Sequence, residues 1–105
     1  TAKPIGVVDG IDLMHTGEVR KIDAVAIERR LKDDELVVLP PLGYSPTGEV
    51  FNLAMPDVAA ATAVALKADK LIFMMDAVGV QGRRGELLRE LTVREARNLL
   101  ARGRV

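Results

Sequence analysis

Four residues are candidates for lining a ligand-binding pocket: Asn52, Asp57, Asp76 and Gly79. Asp76 follows an apolar run that predicts a parallel strand, and open α/β sheets bind ligands at the carboxyl ends of such strands. Asn52 and Asp57 flank the start of a predicted helix, whose first N–H groups favour an anionic ligand. Ordinary structural roles are also open, because Asp76 can cap a turn and Asp57 can stabilise the helix dipole as a first-turn acid.

The other residues with reactive or metal-binding side chains give no reason to predict a catalytic residue or a metal site. His15 is the only histidine. It has no nucleophile or metal ligand beside it in the sequence, so it is interpreted as a surface or packing residue. Asp9 and Asp12 lack the further oxygen ligands of a calcium loop, and Ser45 lacks the strand–turn–helix context of a serine nucleophile. The glycines that follow Asp76 do not have the spacing of a dinucleotide-binding loop.

Three predicted helices and two predicted buried strands must position these residues. The first helix has Asp23 as its N-cap, and the last begins with the capping-box spacing of Thr92 and Glu95. The runs 35–39 and 70–75 are continuously apolar, as in strands covered on both faces. The predicted elements are strands at 5–8 and 18–22, a helix at 22–32, a strand at 35–39, a loop at 43–48, an extended segment at 49–53, a helix at 56–67, a strand at 70–75, a hairpin arm at 86–91 and a helix from 92 that Gly103 ends. This order predicts an α/β fold with an open, mainly parallel sheet and helices on both faces.

Length and composition limit the possible function classes. The 105 residues carry 15 basic and 15 acidic side chains, so net charge gives no general reason to expect nucleic acid or an anionic membrane as a partner. No run of about 18 apolar residues predicts a membrane span. The absence of cysteine excludes thiolate metal sites and fits a reducing cytoplasm. Two buried strands are too few for a covered sheet, so the chain is expected to be a piece of a larger domain.

The charges are unevenly distributed along the chain. Residues 83–105 contain seven arginines and three glutamates, whereas residues 1–82 contain eight basic and twelve acidic side chains. A solvated, arginine-rich amphipathic helix is the simpler interpretation of this difference. A site for an anion or for a protein partner is the alternative.

Three stretches of the sequence resemble a known family: 6–23, which contains His15-Thr16-Gly17; Phe51-Asn52-Leu53 followed by 57–69; and 71–80. They are similar to the central and C-terminal part of the amino-acid kinase fold, in its acetylglutamate-kinase-like form. Within that fold they most resemble the bacterial N-acetylglutamate synthases, a family of amino-acid N-acetyltransferases. The resemblance covers almost the whole chain, so residues 1–105 are interpreted as a partial kinase-like domain.

The resemblance implies a cytoplasmic enzyme that transfers an acetyl group from acetyl-CoA to L-glutamate in the first step of arginine biosynthesis. It implies that acetyl transfer occurs in a separate domain absent from this chain, so the segment alone is expected to have no activity, no catalytic residue and no cofactor. The kinase-like domain is expected to bind L-arginine as an effector and to form a homo-oligomer, without nucleic acid or membrane as a partner. The four candidate residues are carried over as the lining of the former substrate and nucleotide pocket.

The alternative within the same fold is an amino-acid kinase that phosphorylates N-acetylglutamate with ATP and Mg²⁺. Such kinases carry Asn-x-Asn-x-Asp at the helix that binds the substrate. Asn52 matches the first position, but Ala54 replaces the second asparagine and Pro56 stands before Asp57, which arrives one residue late. Phosphoryl transfer depends on close positioning, so this departure favours the synthase.

Overall fold

The computed structural model describes residues 1–82 and 84–102 and divides into two compact units, Thr1–Leu71 and Ile72–Val105. Three helices and six strands are formed within these described residues. The helices are α1 (Ala24–Lys32), α2 (Met55–Ala65) and α3 (Val93–Ala101), and the strands are β1 (Ala2–Pro4), β2 (Val7–Val8), β3 (Ile11–Asp12), β4 (Gly17–Val19), β5 (Leu42–Tyr44) and β6 (Val50–Asn52). All except α3 belong to the first unit.

Two antiparallel strand pairs form at the start of the first unit. β1 pairs with β4, and the exposed side chains of the opposed Lys3 and Glu18 form an ion pair at 3.3 Å. β2 and β3 form a hairpin around Asp9 and Gly10, whose φ angles of 51° and 79° are both positive, as a type I′ turn requires. The strands predicted at 5–8 and 18–22 are each formed in part, as β2 and β4, but they do not pair with each other as expected: β2 pairs with β3, and β4 pairs with the earlier β1.

The α1 helix confirms the sequence prediction. The Asp23 side chain accepts a hydrogen bond from the Ala26 N–H at 3.1 Å, which satisfies one of the free donors of the first turn. Arg29, Arg30 and Lys32 lie in the last turn, where positive charge complements the helix dipole.

β5 and β6 form an antiparallel hairpin in which Gly43 lies opposite Phe51. β6 confirms the extended segment predicted at 49–53. The loop predicted at 43–48 is partly wrong, because Gly43 and Tyr44 belong to β5. Glycine indicates a turn in the sequence, but Gly43 is needed for close packing: a Cβ atom there would lie 2.7 Å from the Cβ of Ala2.

The core of the first unit is small. Its buried hydrophobic side chains, among the described residues, are Ala2, Phe51 and Val58, which are 0%, 3% and 4% exposed. Gly17 allows β4 to lie directly over Phe51, since a Cβ atom at residue 17 would be 2.7 Å from the Phe51 Cβ. β1, β4 and β6 are in mutual contact, and α2, which carries Val58, lies against β4.

The predictions of buried strands at 35–39 and 70–75 are wrong for this structure. Neither run forms a strand, and Leu36 and Ile72 are 86% and 79% exposed. A strand needs a neighbour that satisfies its backbone N–H and C=O groups. Within the described part of the chain neither run has such a neighbour, and the named ladders are all antiparallel pairs.

The second unit contains a short hairpin and the α3 helix. The Leu88 N–H donates to the Val80 carbonyl at 2.8 Å, and the hairpin closed by this bond confirms the first part of the arm predicted at 86–91. The predicted capping box of α3 is also confirmed: the Thr92 hydroxyl accepts from the Glu95 N–H at 3.1 Å, and the Glu95 carboxylate accepts from the Thr92 N–H at 3.4 Å. The predicted stop at Gly103 lies outside the described residues.

Candidate functional site

The connection between β6 and α2 brings Asn52 close in sequence to the start of the helix. α2 begins at Met55, one residue before the predicted start at Pro56. Its N-cap is Ala54, which has no side chain able to accept a hydrogen bond, and the N–H groups of Asp57 and Val58 both donate to the Ala54 carbonyl at 3.1 Å. Asp57 is an exposed acid in the first turn of the helix, as its simpler structural interpretation predicts.

A second chain segment runs alongside Asn52. A parallel bridge joins Thr16 to Asn52, and the Asn52 N–H donates to the His15 carbonyl at 2.7 Å. The His15 and Phe51 rings are in tilted contact, with centroids 6.3 Å apart. His15 is exposed, and its ring lies beside an aromatic side chain of the core, in agreement with its interpretation as a surface or packing residue.

Asp76 and Gly79 belong to the second unit, whereas Asn52 and Asp57 belong to the first. Asp76 is exposed at a bend, which is compatible with the turn-capping interpretation of this residue. Gly79 has a φ of 153°, and a Cβ atom there would lie 2.8 Å from the Leu87 Cδ1. The Leu87 side chain can rotate away from such a contact, so the positive φ is the stronger reason for glycine at this position. Two of the four predicted pocket residues thus belong to each unit.

The first unit also contains a cavity that the sequence analysis missed. It has a volume of about 200 Å³ and lies between α1, α2 and the β4 and β5 strands. Its lining is mainly apolar and consists of Thr1, Val19, Lys21, Ile22, Asp23, Ala26, Ile27, Leu39, Pro40, Leu42, Gly43, Leu53 and Val58. Asn52 and Asp57 do not contribute to it, so the cavity and the candidate residues are distinct features of this unit.

An open cleft of about 430 Å³ in the second unit has a more polar lining. Glu86, Glu90, Glu95 and Arg102 all contribute to it. Two of these carboxylates already bond within the unit, since Glu86 accepts from the Arg84 N–H at 2.9 Å and Glu95 completes the α3 capping box. Both bonds give these side chains a structural role in the hairpin and the helix.

Acidic side chains of the described residues form no cluster able to hold a metal ion. The Asp12 carboxylate accepts from the Met14 N–H at 3.1 Å, and this bond closes a turn beside the β2–β3 hairpin. None of the helices described is long and apolar enough to cross a lipid bilayer.

Thr16 is the residue beside Asn52 that the sequence analysis did not assign to the pocket. The two residues are far apart in the chain, and a single parallel bridge brings them together. The only signal in the sequence is the stretch His15-Thr16-Gly17, which contributes to the family resemblance without indicating what it contacts. Pairing between distant segments is the kind of information that periodicity within one segment does not contain.

Comparison with known proteins identifies relatives across almost the whole chain. The amino acid kinase family matches residues 1–104. An amino-acid acetyltransferase of Ralstonia nicotianae is 52% identical over 105 residues, which are 100% of this chain and 23% of that protein. A second amino-acid acetyltransferase, from Azotobacter vinelandii, is 58% identical over 91 residues, 87% of this chain and 21% of its own length.

Solved structures give the same result for the fold. The N-acetylglutamate synthase of Neisseria gonorrhoeae is 40% identical, and its crystal structures with coenzyme A and either L-arginine or N-acetylglutamate match with TM-scores of 0.91 and 0.92. Each match covers 96% of this chain and 24% of the gonococcal chain. The predicted α/β class and kinase-like fold are confirmed. The chain spans about a quarter of the length of these relatives.

Proposed function

Because the chain belongs to the amino acid kinase family, we propose that it is a segment of the kinase-like domain of an N-acetylglutamate synthase. The parent enzyme transfers an acetyl group from acetyl-CoA to L-glutamate, the first step of arginine biosynthesis. The observation that carries this proposal is the 52% identity to an amino-acid acetyltransferase across all 105 residues. The likeness to the gonococcal synthase over 96% of the chain supports it independently through the fold.

In this proposal the segment regulates and assembles the enzyme, and acetyl transfer takes place in a separate domain of the parent. The gonococcal relative was crystallised with L-arginine and with N-acetylglutamate, so an amino-acid effector is the expected ligand of the kinase-like domain. The parent is a cytoplasmic homo-oligomer, has no nucleic acid or membrane partner, and is inhibited by L-arginine. Asn52 and Asp57 line one part of the former substrate and nucleotide pocket, and Asp76 and Gly79 line another.

The geometry at the start of α2 favours this proposal over an N-acetylglutamate kinase. Counted from Asn52, Asp57 stands one residue later than the aspartate of the kinase pattern, and it lies in the first turn of α2. Successive residues of an α-helix are separated by about 100° around its axis, so the shift turns the carboxylate by about a quarter of a turn. Phosphoryl transfer tolerates little misplacement of the groups that hold the substrate.

Two activity assays on the full-length parent test the proposal. Formation of N-acetylglutamate from acetyl-CoA and L-glutamate, with inhibition by added L-arginine, is the expected result. Phosphorylation of N-acetylglutamate by ATP and Mg²⁺, without acetyl transfer, would instead establish the kinase.

A pair of variants tests the pocket separately from the overall activity. Asp57→Asn changes the first-turn acid of α2, and we expect it to alter the L-arginine concentration that gives half-maximal inhibition. Asp69→Asn removes a similarly exposed acid beyond the other end of α2 and serves as the matched control. Equal inhibition curves for both variants and the wild type would remove Asp57 from the pocket.

A further inference from the structure

We draw no further inference here: the strongest candidate, the apolar cavity of about 200 Å³ between α1, α2, β4 and β5 in the first unit, carries none because nothing in the part of the chain that the structure describes shows what occupies or covers it.

Discussion

Replacement of Gly17 by alanine is expected to destabilise the first unit by steric overlap alone. The new Cβ atom would lie 2.7 Å from the Phe51 Cβ, 2.9 Å from the Lys3 carbonyl oxygen and 3.1 Å from the Phe51 Cγ. Favourable contacts between carbon atoms are about 3.5–4.0 Å apart. The residue has no left-handed φ, so an alanine meets no conformational penalty that would complicate the measurement.

The cost follows from which atoms must move. Two of the three contacts are with a backbone oxygen of β1 and a Cβ atom of β6, neither of which can be moved by rotating a side chain. Relief therefore requires displacement of β1, which pairs with β4 directly at this position. Overpacking of this kind costs about 1–3 kcal/mol. The lower entropy of the unfolded alanine chain offsets about 0.5–1 kcal/mol, which leaves a net loss of about 1–2 kcal/mol.

Thermal unfolding of the full-length parent measures the effect. For a domain of about 150–250 residues each kcal/mol lowers Tm by about 2–4 °C, so Gly17→Ala is expected to lower it by about 2–8 °C. Gly82→Ala is the matched control, because residue 82 also lacks a left-handed φ and a Cβ there would meet only the carboxylate end of the flexible Glu86 side chain. A Gly17→Ala protein as stable as the wild type, or no more affected than the control, would refute the close packing of β4 on Phe51.

Three further variants of the parent test other elements of the structure. Thr92→Ala removes the N-cap hydroxyl of α3 and is expected to destabilise the helix by about 1 kcal/mol. The loss is measured as faster hydrogen exchange of the α3 amides, and Thr92→Ser is expected to keep their exchange rates close to those of the wild type. Lys3→Met breaks an ion pair whose side chains are about half exposed and is expected to change stability by less than about 1 kcal/mol in urea unfolding; a larger loss would show that the pair is shielded from solvent. Ile72→Asp is expected to lower the yield of folded parent strongly if other parts of the parent cover the run 70–75. An unchanged yield and Tm would show that the Ile72 side chain remains in solvent.

Local signals in the sequence account for α1, α3 and the β2–β3 hairpin. Asp23 and Thr92 cap their helices through their own side chains, and each contact reaches only three residues along the chain. Such short-range bonds can be predicted from spacing alone. The β2–β3 turn is predictable for the same reason, since Asp9 and Gly10 tolerate positive φ angles.

The candidate site could be predicted only in part, because it depends on contacts between distant segments. Asn52 and Asp57 are placed at the start of α2 as the sequence predicts, but the neighbour of Asn52 is Thr16, which no local pattern identifies. Gly43 was misinterpreted for a related reason. A glycine in the sequence indicates a loop, whereas in the structure Gly43 allows Ala2 to approach β5 closely. Such an approach between two strands is not contained in the sequence of either strand alone.

The exposed apolar runs show why the sequence and the structure disagree about the buried strands. Met74 and Ile72 are 95% and 79% exposed, although burial of such a side chain is favourable by about 1.5–3 kcal/mol. A strand covered on both faces needs hydrogen-bonded neighbours and packed helices, and these runs have no strand neighbour among the described residues. Continuous apolar sequence indicates that both faces of a run are suited to burial. It does not identify the strands and helices that would cover them, because those contacts are made between segments distant in the chain.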